Sequence, residues 1–275
     1  MTSFTSDPDR FRAFEQSGWE KAAARYHDTF RSLTTQAVDP LLDAVGAGPG
    51  VRLLDMATGP GYVAAEAARR GARVVGMDLA TAMVVQARRH HPDVHFQVGD
   101  AERLPFAAKS FDAVVMSFGL LHVARPEVAL SEAFRVLRSG GRVGFTVWMP
   151  PEQTVGFGMI LRAIESHGNL NTPLPEGPPF FRFSDPQECC RVLREAGFIE
   201  PNVAQVPQLW RLPSADALLA ALIEGTVRTG GLLRAQSPEA FQAIRSFVCE
   251  ASKAYEKDGA IEVPMPAVLA SAKRA

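Results

Sequence analysis

The chain has 275 residues, of which 47% are hydrophobic and 21% charged, with three cysteines and a formal net charge of −1 at pH 7. A chain of this size buries enough apolar surface in one α/β domain to need neither disulfides nor a structural metal. The near-neutral charge gives no general attraction to nucleic acid or to an anionic membrane, and the cysteine spacing suits neither a disulfide framework nor a zinc site.

The first 48 residues predict a helical cap. Apolar and aromatic side chains recur at helical spacing from Trp19 to Phe30, and a second helix is predicted at about residues 36–45. The glycines and proline of residues 46–50 then end the cap.

Strands and helices alternate between residues 51 and 148. The predicted strands are residues 51–56, 73–77, 94–98, 111–117 and 142–148, and the predicted helices are residues 62–70, 81–90 and 126–137. Strands that alternate with helices of about ten residues are typical of βαβ units, which cover both faces of a parallel sheet with helices.

The pattern changes after Pro150. The predicted elements here are helices at residues 155–167, 185–196, 213–230 and 238–257, a strand at residues 202–212 and a final strand at residues 260–272. Pro264 and Pro266 suit an edge or the start of that strand, because proline donates no ladder hydrogen bond. We divide the single domain into a cap (residues 1–48), a ligand-binding core (49–150), a lid region (151–259) and a last strand (260–275).

A glycine-rich turn, Asp-Met-Ala-Thr-Gly-Pro-Gly at residues 55–61, joins the first strand to its helix. Gly59, Gly61 and Ala64 fit the dinucleotide pattern G-x-G-x-x-A, and Asp78 follows at the distance expected of a ribose-binding acid. From this pattern alone, a nicotinamide-dependent oxidoreductase is one interpretation.

Three acids favour a different ligand. Asp55, Asp78 and Asp100 follow the first, second and third strands, whose carboxyl ends meet at one crevice. A carboxylate at Asp55 would repel a pyrophosphate bound at the helix N-terminus, whereas it would attract a cationic nucleoside without phosphate. The exocyclic amine of an adenine is a suitable donor to Asp100.

Five segments in order resemble the class I S-adenosylmethionine-dependent methyltransferases, and most of all the branch with the ubiquinone and menaquinone biosynthesis methyltransferases. They are residues 53–61, 75–78, 98–106, 111–115 and 137–142. The resemblance implies an α/β, Rossmann-like fold: a seven-stranded, mostly parallel sheet of order 3-2-1-4-5-7-6, with helices on both faces and a helical lid. It also implies S-adenosyl-L-methionine as cofactor and S-adenosyl-L-homocysteine as product.

Ala57 departs from the pattern of that family, which usually has glycine at this position of the turn. Because alanine disfavours a positive φ, we expect either an ordinary backbone angle or a slightly shifted turn here.

The resemblance carries a set of cofactor-binding residues over to this chain. Asp78 is expected to hold the ribose hydroxyls, Asp100 the adenine, and Tyr26 the methionine carboxylate. The full set is Tyr26, Asp55, Ala57, Gly59, Gly61, Asp78, Leu79, Met83, Asp100, Ala101, Glu102, Ser117 and Phe118. The alternatives are a helix cap or turn for each acid, and an ordinary core position for Tyr26 and for Trp19.

His122 follows the fourth strand, where this fold brings the methyl donor beside the acceptor. It is the candidate catalytic residue, a general base, and the alternative is a histidine that only shapes the pocket. Aromatic residues after the fifth strand predict an apolar acceptor pocket or a satellite core; they are Phe157, Phe180, Phe181, Phe183 and Trp210. No metal site is predicted, because His90, His91 and His95 surround Pro92 and are expected to be solvated.

The predicted function is methyl transfer from S-adenosylmethionine to a small, apolar or aromatic molecule by direct in-line displacement. The alternatives are an NAD(P)-dependent oxidoreductase of Rossmann architecture and a binding module without transfer. The sequence leaves open the acceptor and whether oxygen, nitrogen, carbon or sulfur is methylated.

The expected location is cytoplasmic, because residues 1–12 lack the apolar core of a signal peptide and no run of about 18 apolar residues occurs. We expect a monomer or homodimer that binds no nucleic acid and has no membrane span.

Overall fold

A seven-stranded sheet forms the centre of the computed structural model, which describes residues 7–275. Its strands are β1 (Arg52–Met56), β2 (Arg73–Asp78), β3 (His95–Val98), β4 (Phe111–Ser117), β5 (Leu137–Trp148), β6 (Phe198–Val206) and β10 (Ala267–Arg274). They lie in the order β3-β2-β1-β4-β5-β10-β6, and only β10 runs antiparallel to its neighbours. The predicted Rossmann-like fold and its strand order are confirmed.

Short apolar runs form the central strands because both faces of the sheet are covered by helices. Leu53 and Leu54 of β1 are fully buried, as are Val114 and Val115 of β4. The helices are α1 (Pro8–Thr34), α2 (Val38–Val45), α3 (Tyr62–Arg69), α4 (Thr81–His90), α5 (Pro126–Val136), α6 (Val155–His167), α7 (Pro186–Glu195), α8 (Ala215–Gly225), α9 (Arg228–Arg234) and α10 (Pro238–Ser252). None of these helices, within residues 7–275, has the length and apolar character needed to cross a bilayer.

Helix α1 is tied to the edge of the sheet where the parallel strands end. The Glu20 carboxylate accepts the backbone amides of Thr81 (2.6 Å) and Ala82 (2.8 Å). These amides open α4, and Ala80 at its N-cap offers no side-chain acceptor, so Glu20 satisfies donors that a helix N-terminus leaves unpaired. Helix α1 is thereby held against the start of α4, next to the carboxyl end of β2.

The prediction of a single last strand at residues 260–272 is wrong. The segment forms two strands, β9 (Ala260–Pro264) and β10, and β9 joins β7 (Leu209–Leu212) and β8 (Glu256–Lys257) in a separate antiparallel sheet. Pro264 and Pro266 lack the N–H that a continuous ladder needs, so the chain passes between the two sheets at this point. Met265 between them donates to the Gln208 carbonyl oxygen at 2.9 Å.

Two other predicted elements are also divided. The strand predicted at residues 202–212 is β6 followed by β7. Because β6 belongs to the main sheet, residues 151–259 also contribute a strand to that sheet. The helix predicted at residues 213–230 is α8 followed by α9. Thr226 lies at this break, where its hydroxyl accepts the amide of Gly230 at 2.9 Å and stabilises the start of α9.

Candidate functional site

A cavity lies at the carboxyl ends of β1, β2 and β4, with α1 forming one wall. Its lining contains all but two of the predicted site residues: Tyr26, Ala57, Gly59, Asp78, Leu79, Met83, Asp100, Ala101, Glu102, Ser117, Phe118 and His122. The two exceptions are Asp55 and Gly61. The lining is concave and combines apolar side chains with a few polar groups, as is typical of sites for small molecules.

Asp55 supports the turn and is not part of the cavity wall. Its side chain is 1% exposed, and one carboxylate oxygen accepts both the Thr58 hydroxyl (2.5 Å) and the Ala64 amide (3.1 Å). Burial raises the pKa of Asp55 to about 7. The expectation that Asp55 attracts the ligand directly is therefore corrected. Its carboxylate faces α3 and accepts an amide of that helix, so its role resembles the alternative interpretation, a helix cap.

Gly61 is required for close packing. Its φ is +84°, and a Cβ at this position would lie 2.6 Å from Cζ of Phe96. A larger residue would therefore have to displace the ring that β3 places against the turn. Its position supports the turn from outside the cavity.

Asp78 joins the glycine-rich turn to the end of β2 and reaches the cavity. One carboxylate oxygen accepts the Gly59 amide at 2.8 Å, and the other accepts the Ala80 amide at 2.9 Å. Burial raises the pKa of Asp78 to about 6, against the opposing effect of these two amides. The charged form is nevertheless the main one at neutral pH.

Ala57 has a φ of 53°, in the left-handed region. The expectation of an ordinary angle is wrong, because the turn keeps the geometry that usually calls for glycine. A left-handed backbone costs an L-residue about 1–2 kcal/mol, while glycine loses about 0.5–1 kcal/mol of chain entropy on folding.

We expect Ala57→Gly to raise the free energy of unfolding by about 0.5 kcal/mol, because relief of the strained φ outweighs the entropy loss. Urea denaturation followed by circular dichroism measures this. Ala65→Gly, in the interior of α3, is the matched control and should lower stability by about 1 kcal/mol. A loss of similar size in both variants would contradict the expectation.

Arg12, which the sequence analysis missed, neutralises the acids at the adenine end of the predicted site. Its guanidinium lies 2.5 Å from a Glu102 oxygen and 3.2 Å from an Asp100 oxygen. Arg125 also donates to Glu102, at 2.6 Å. Asp100, predicted to accept an amine of the ligand, therefore already has a cationic partner. No local motif marks Arg12; only the packing of α1 reveals it.

His122 forms a pair with Glu15, a second residue that the sequence analysis missed. The imidazole Nδ1 lies 3.0 Å from a carboxylate oxygen of Glu15, whose side chain is almost fully buried. With Glu15 ionised, Nδ1 carries the proton and donates to it, so Nε2 keeps a free lone pair. Trp19 fixes the ring further, with an edge-to-face contact at 4.9 Å between centroids. The only feature of the sequence that points to Glu15 is its distance of one helical turn from Trp19 on α1.

A second, smaller cavity adjoins the first and is lined mainly by aromatic rings. The two cavities share Trp19, Tyr26, Phe118 and His122. The other aromatic residues that line it are Phe30, Trp148, Phe157 and Phe180. The predicted apolar pocket therefore includes Phe157 and Phe180, whereas Phe183 and Trp210 are buried in the core.

Phe118 lies where the two cavities meet. It has a φ of 51°, and its ring stacks on Trp148 at 4.0 Å between centroids. Its amide donates to the Thr146 carbonyl oxygen at 3.0 Å, which fixes this strained backbone at the end of β4. The ring therefore has a defined place between the two cavities.

The histidines near Pro92 differ from the prediction. His90 stacks on His27 of α1 at 4.3 Å between centroids, and His91 is half-buried, so neither is fully solvated. Burial is the main cause that lowers the pKa of both rings. Within residues 7–275, no group of three or more His, Cys, Asp or Glu side chains is arranged to hold a metal ion.

Comparison with known proteins gives two findings. Residues 54–145 match the family model described as a methyltransferase domain. The demethylmenaquinone methyltransferase of Beutenbergia cavernae is 44% identical over 144 residues, which are 49% of this chain and 60% of that protein. The chain thus spans about 60% of the length of the first curated relatives it matches.

Solved structures share the fold at low identity. Haemonchus contortus phosphoethanolamine N-methyltransferase 2 in complex with S-adenosyl-L-methionine has a TM-score of 0.58 at 20% identity, over 96% of this chain and 60% of that chain. The [4+2]-cyclase SpnF has a TM-score of 0.54 at 22% identity, over 88% of this chain and 82% of that chain. One name describes a transferase and the other a cyclase, so the shared fold does not by itself define the reaction.

Proposed function

We propose that this chain, whose residues 54–145 match the model of a methyltransferase domain, transfers a methyl group from S-adenosylmethionine to a small aromatic or apolar acceptor. The observation that carries this proposal is the pair of adjoining cavities, one with acidic groups and the other aromatic, with His122 in the wall of both.

The charge of the larger cavity suits S-adenosylmethionine. Its lining has four carboxylates, those of Glu15, Asp78, Asp100 and Glu102, whereas Arg12 is the only Lys or Arg among the described lining residues. Arg12 is itself paired with two of those acids. A ligand with a sulfonium and an ammonium is attracted to this surface, whereas a pyrophosphate would be repelled. The dinucleotide interpretation has no support from the comparisons.

The residues of this wall divide the proposed binding tasks. Asp78 would accept hydrogen bonds from the ribose hydroxyls while it holds the Gly59 amide. Trp19 and Tyr26 offer aromatic rings to a cationic sulfur. Burial raises the pKa of Tyr26 to about 12, so its hydroxyl stays protonated and is a donor for the methionine carboxylate.

The proposed reaction is an in-line displacement. When bound, S-adenosylmethionine supplies an electrophilic methyl group and a neutral leaving group. The aromatic walls orient the acceptor and exclude water, which favours the displacement. S-adenosylmethionine would supply the methyl group to the acceptor's electron pair and leave as neutral S-adenosylhomocysteine, while Nε2 of His122 would accept the proton that the acceptor loses. Glu15 keeps the imidazole in the tautomer that can take this proton.

Two titrations test the cofactor, and a transfer assay tests the reaction. We expect S-adenosylhomocysteine to bind at micromolar concentrations by isothermal titration calorimetry and NADH to give no response. The transfer assay uses S-adenosylmethionine with a labelled methyl group and a panel of hydroxylated aromatic acceptors. Demethylmenaquinone, the acceptor in the name of the Beutenbergia relative, is the first to include.

Tight binding of NADH without binding of S-adenosylhomocysteine would overturn the proposal in favour of an oxidoreductase. Binding of S-adenosylhomocysteine without transfer to any acceptor in the panel would instead favour a module that keeps the fold but not the reaction.

A further inference from the structure

The aromatic cavity contains one cation, Arg228, which the proposed reaction does not use. It is the first residue of α9, and its side chain lines the cavity together with Phe180 and Trp148. The guanidinium carbon lies 5.4 Å from the centroid of the Phe180 ring and 5.3 Å from that of Phe11. Arg228 is therefore held between two rings at the wall of an apolar pocket.

This guanidinium lacks a carboxylate partner. Among residues 7–275, no acidic oxygen lies within 4 Å of it, and its one hydrogen bond is a long one of 3.4 Å to the Leu121 carbonyl oxygen. Burial lowers the pKa of Arg228, with a smaller opposing effect from Glu15. Glu15 binds His122 through Oε2, and its Oε1 has no hydrogen-bond partner among residues 7–275. Because neither oxygen is within 4 Å of the Arg228 guanidinium, most N–H donors of Arg228 remain for another group.

Arg228 is half-buried, and a charge that is partly removed from water without a partner is costly, so a partner of opposite charge would be favoured here. Contacts to Phe11 and Phe180 offset part of this cost. An uncharged side chain of similar size would fill the same space without the cost of an unpaired charge. The planar fork of a guanidinium matches a carboxylate with two parallel hydrogen bonds.

Arg228 and His122 lie close enough to act on one small molecule. Arg228 donates to the carbonyl oxygen of Leu121, the residue before His122. Phe180 also touches both, with its ring 6.1 Å from the His122 imidazole between centroids. An aromatic molecule among these rings would have one end at Arg228 and the other at the base.

We infer that the acceptor is an aromatic acid, whose carboxylate pairs with Arg228 while its nucleophilic atom lies at His122. This inference rests on the proposed function and defines its substrate class. It predicts that aromatic acids bind better than neutral aromatic acceptors of the same shape, because a neutral acceptor would leave Arg228 without a partner.

Binding of two matched probes tests this inference. 4-Hydroxybenzoate and 4-hydroxybenzamide have nearly the same shape and differ in charge, and their affinities are measured by calorimetry with saturating S-adenosylhomocysteine. We expect the intact protein to bind the benzoate at least about 10-fold more tightly than the benzamide. Arg228→Gln should remove this preference and leave the affinity for S-adenosylhomocysteine unchanged.

Arg234→Gln, at the exposed end of the same helix, is the control variant and should keep the preference. Arg228→Lys keeps the charge and serves if the Gln variant does not fold; it should retain part of the preference. Equal binding of the two probes by the intact protein, or an unchanged preference in Arg228→Gln, would overturn the inference. Failure of S-adenosylhomocysteine to bind the intact protein would instead count against the proposed function.

Discussion

Replacing Asp78 with asparagine is expected to weaken binding of S-adenosylhomocysteine by about 100-fold or more. The charged carboxylate would accept hydrogen bonds from the two ribose hydroxyls of the ligand, and each hydrogen bond to a charged group is worth about 1.5–3 kcal/mol. Its carboxylate accepts the Gly59 and Ala80 amides, so it shapes the turn while it faces the cavity. An asparagine amide can accept from only one of these donors and brings its own N–H groups against the other. Calorimetric titration at pH 7.5 gives the ratio of dissociation constants.

The pH dependence of this binding provides an independent check. Burial raises the pKa of Asp78 to about 6, so the carboxylate required for binding is present above that pH and is lost as the pH falls through it. Affinity in the unchanged protein should therefore decline below about pH 6, whereas the weak binding of Asp78→Asn should vary little. Asp93→Asn, at an exposed carboxylate, is the control and should behave as the unchanged protein. Equal affinity in Asp78→Asn and the unchanged protein would rule out this role.

His122→Ala is expected to lower kcat by about 100-fold or more with an acceptor that must lose a proton, since a positioned base contributes about 10²–10⁴-fold. The affinity for S-adenosylhomocysteine should change little, because the imidazole is assigned to the acceptor. His95→Ala, at an exposed histidine of β3, is the matched control and should keep full activity. An unchanged kcat in His122→Ala would leave His122 only the role of shaping the pocket.

Glu15 is expected to act as a positioning residue through its 3.0 Å contact with the imidazole. Glu15→Gln can still accept from Nδ1 but without charge, so kcat should fall about 10-fold while KM stays constant. Glu15→Leu removes the acceptor and should approach the loss in His122→Ala. Unchanged kcat and KM in both Glu15 variants would show that Glu15 only fills space.

Local sequence was sufficient for the parallel core of the sheet and for two acids of the larger cavity, whereas the order of the strands was implied by the resemblance to a known family. Apolar runs separated by helices of about ten residues lead to a parallel sheet, whose strand ends must meet at one edge. Asp78 and Asp100 follow such strands directly, so their side chains reach this edge without knowledge of any distant contact.

Other features depended on segments that are distant along the chain. Three residues of the site, Arg12, Glu15 and Arg228, belong to helices without a motif. They reach the site only because α1 packs against α4 and α8, and α9 packs against α8. The direction of the Asp55 carboxylate was equally undetermined, since its acceptor role depends on where α3 begins.

The sequence by itself therefore determined the alternating strands and helices of residues 51–148 and the positions of Asp78 and Asp100 after two of those strands, because each depends on residues that are close together along the chain. Only the tertiary structure decided that Ala57 adopts a left-handed backbone, that Glu15 orients His122, and that Arg228 lies unpaired among aromatic rings. The physical reason is that these properties arise from contacts between elements many residues apart, where packing and burial, rather than local spacing, fix the side chains.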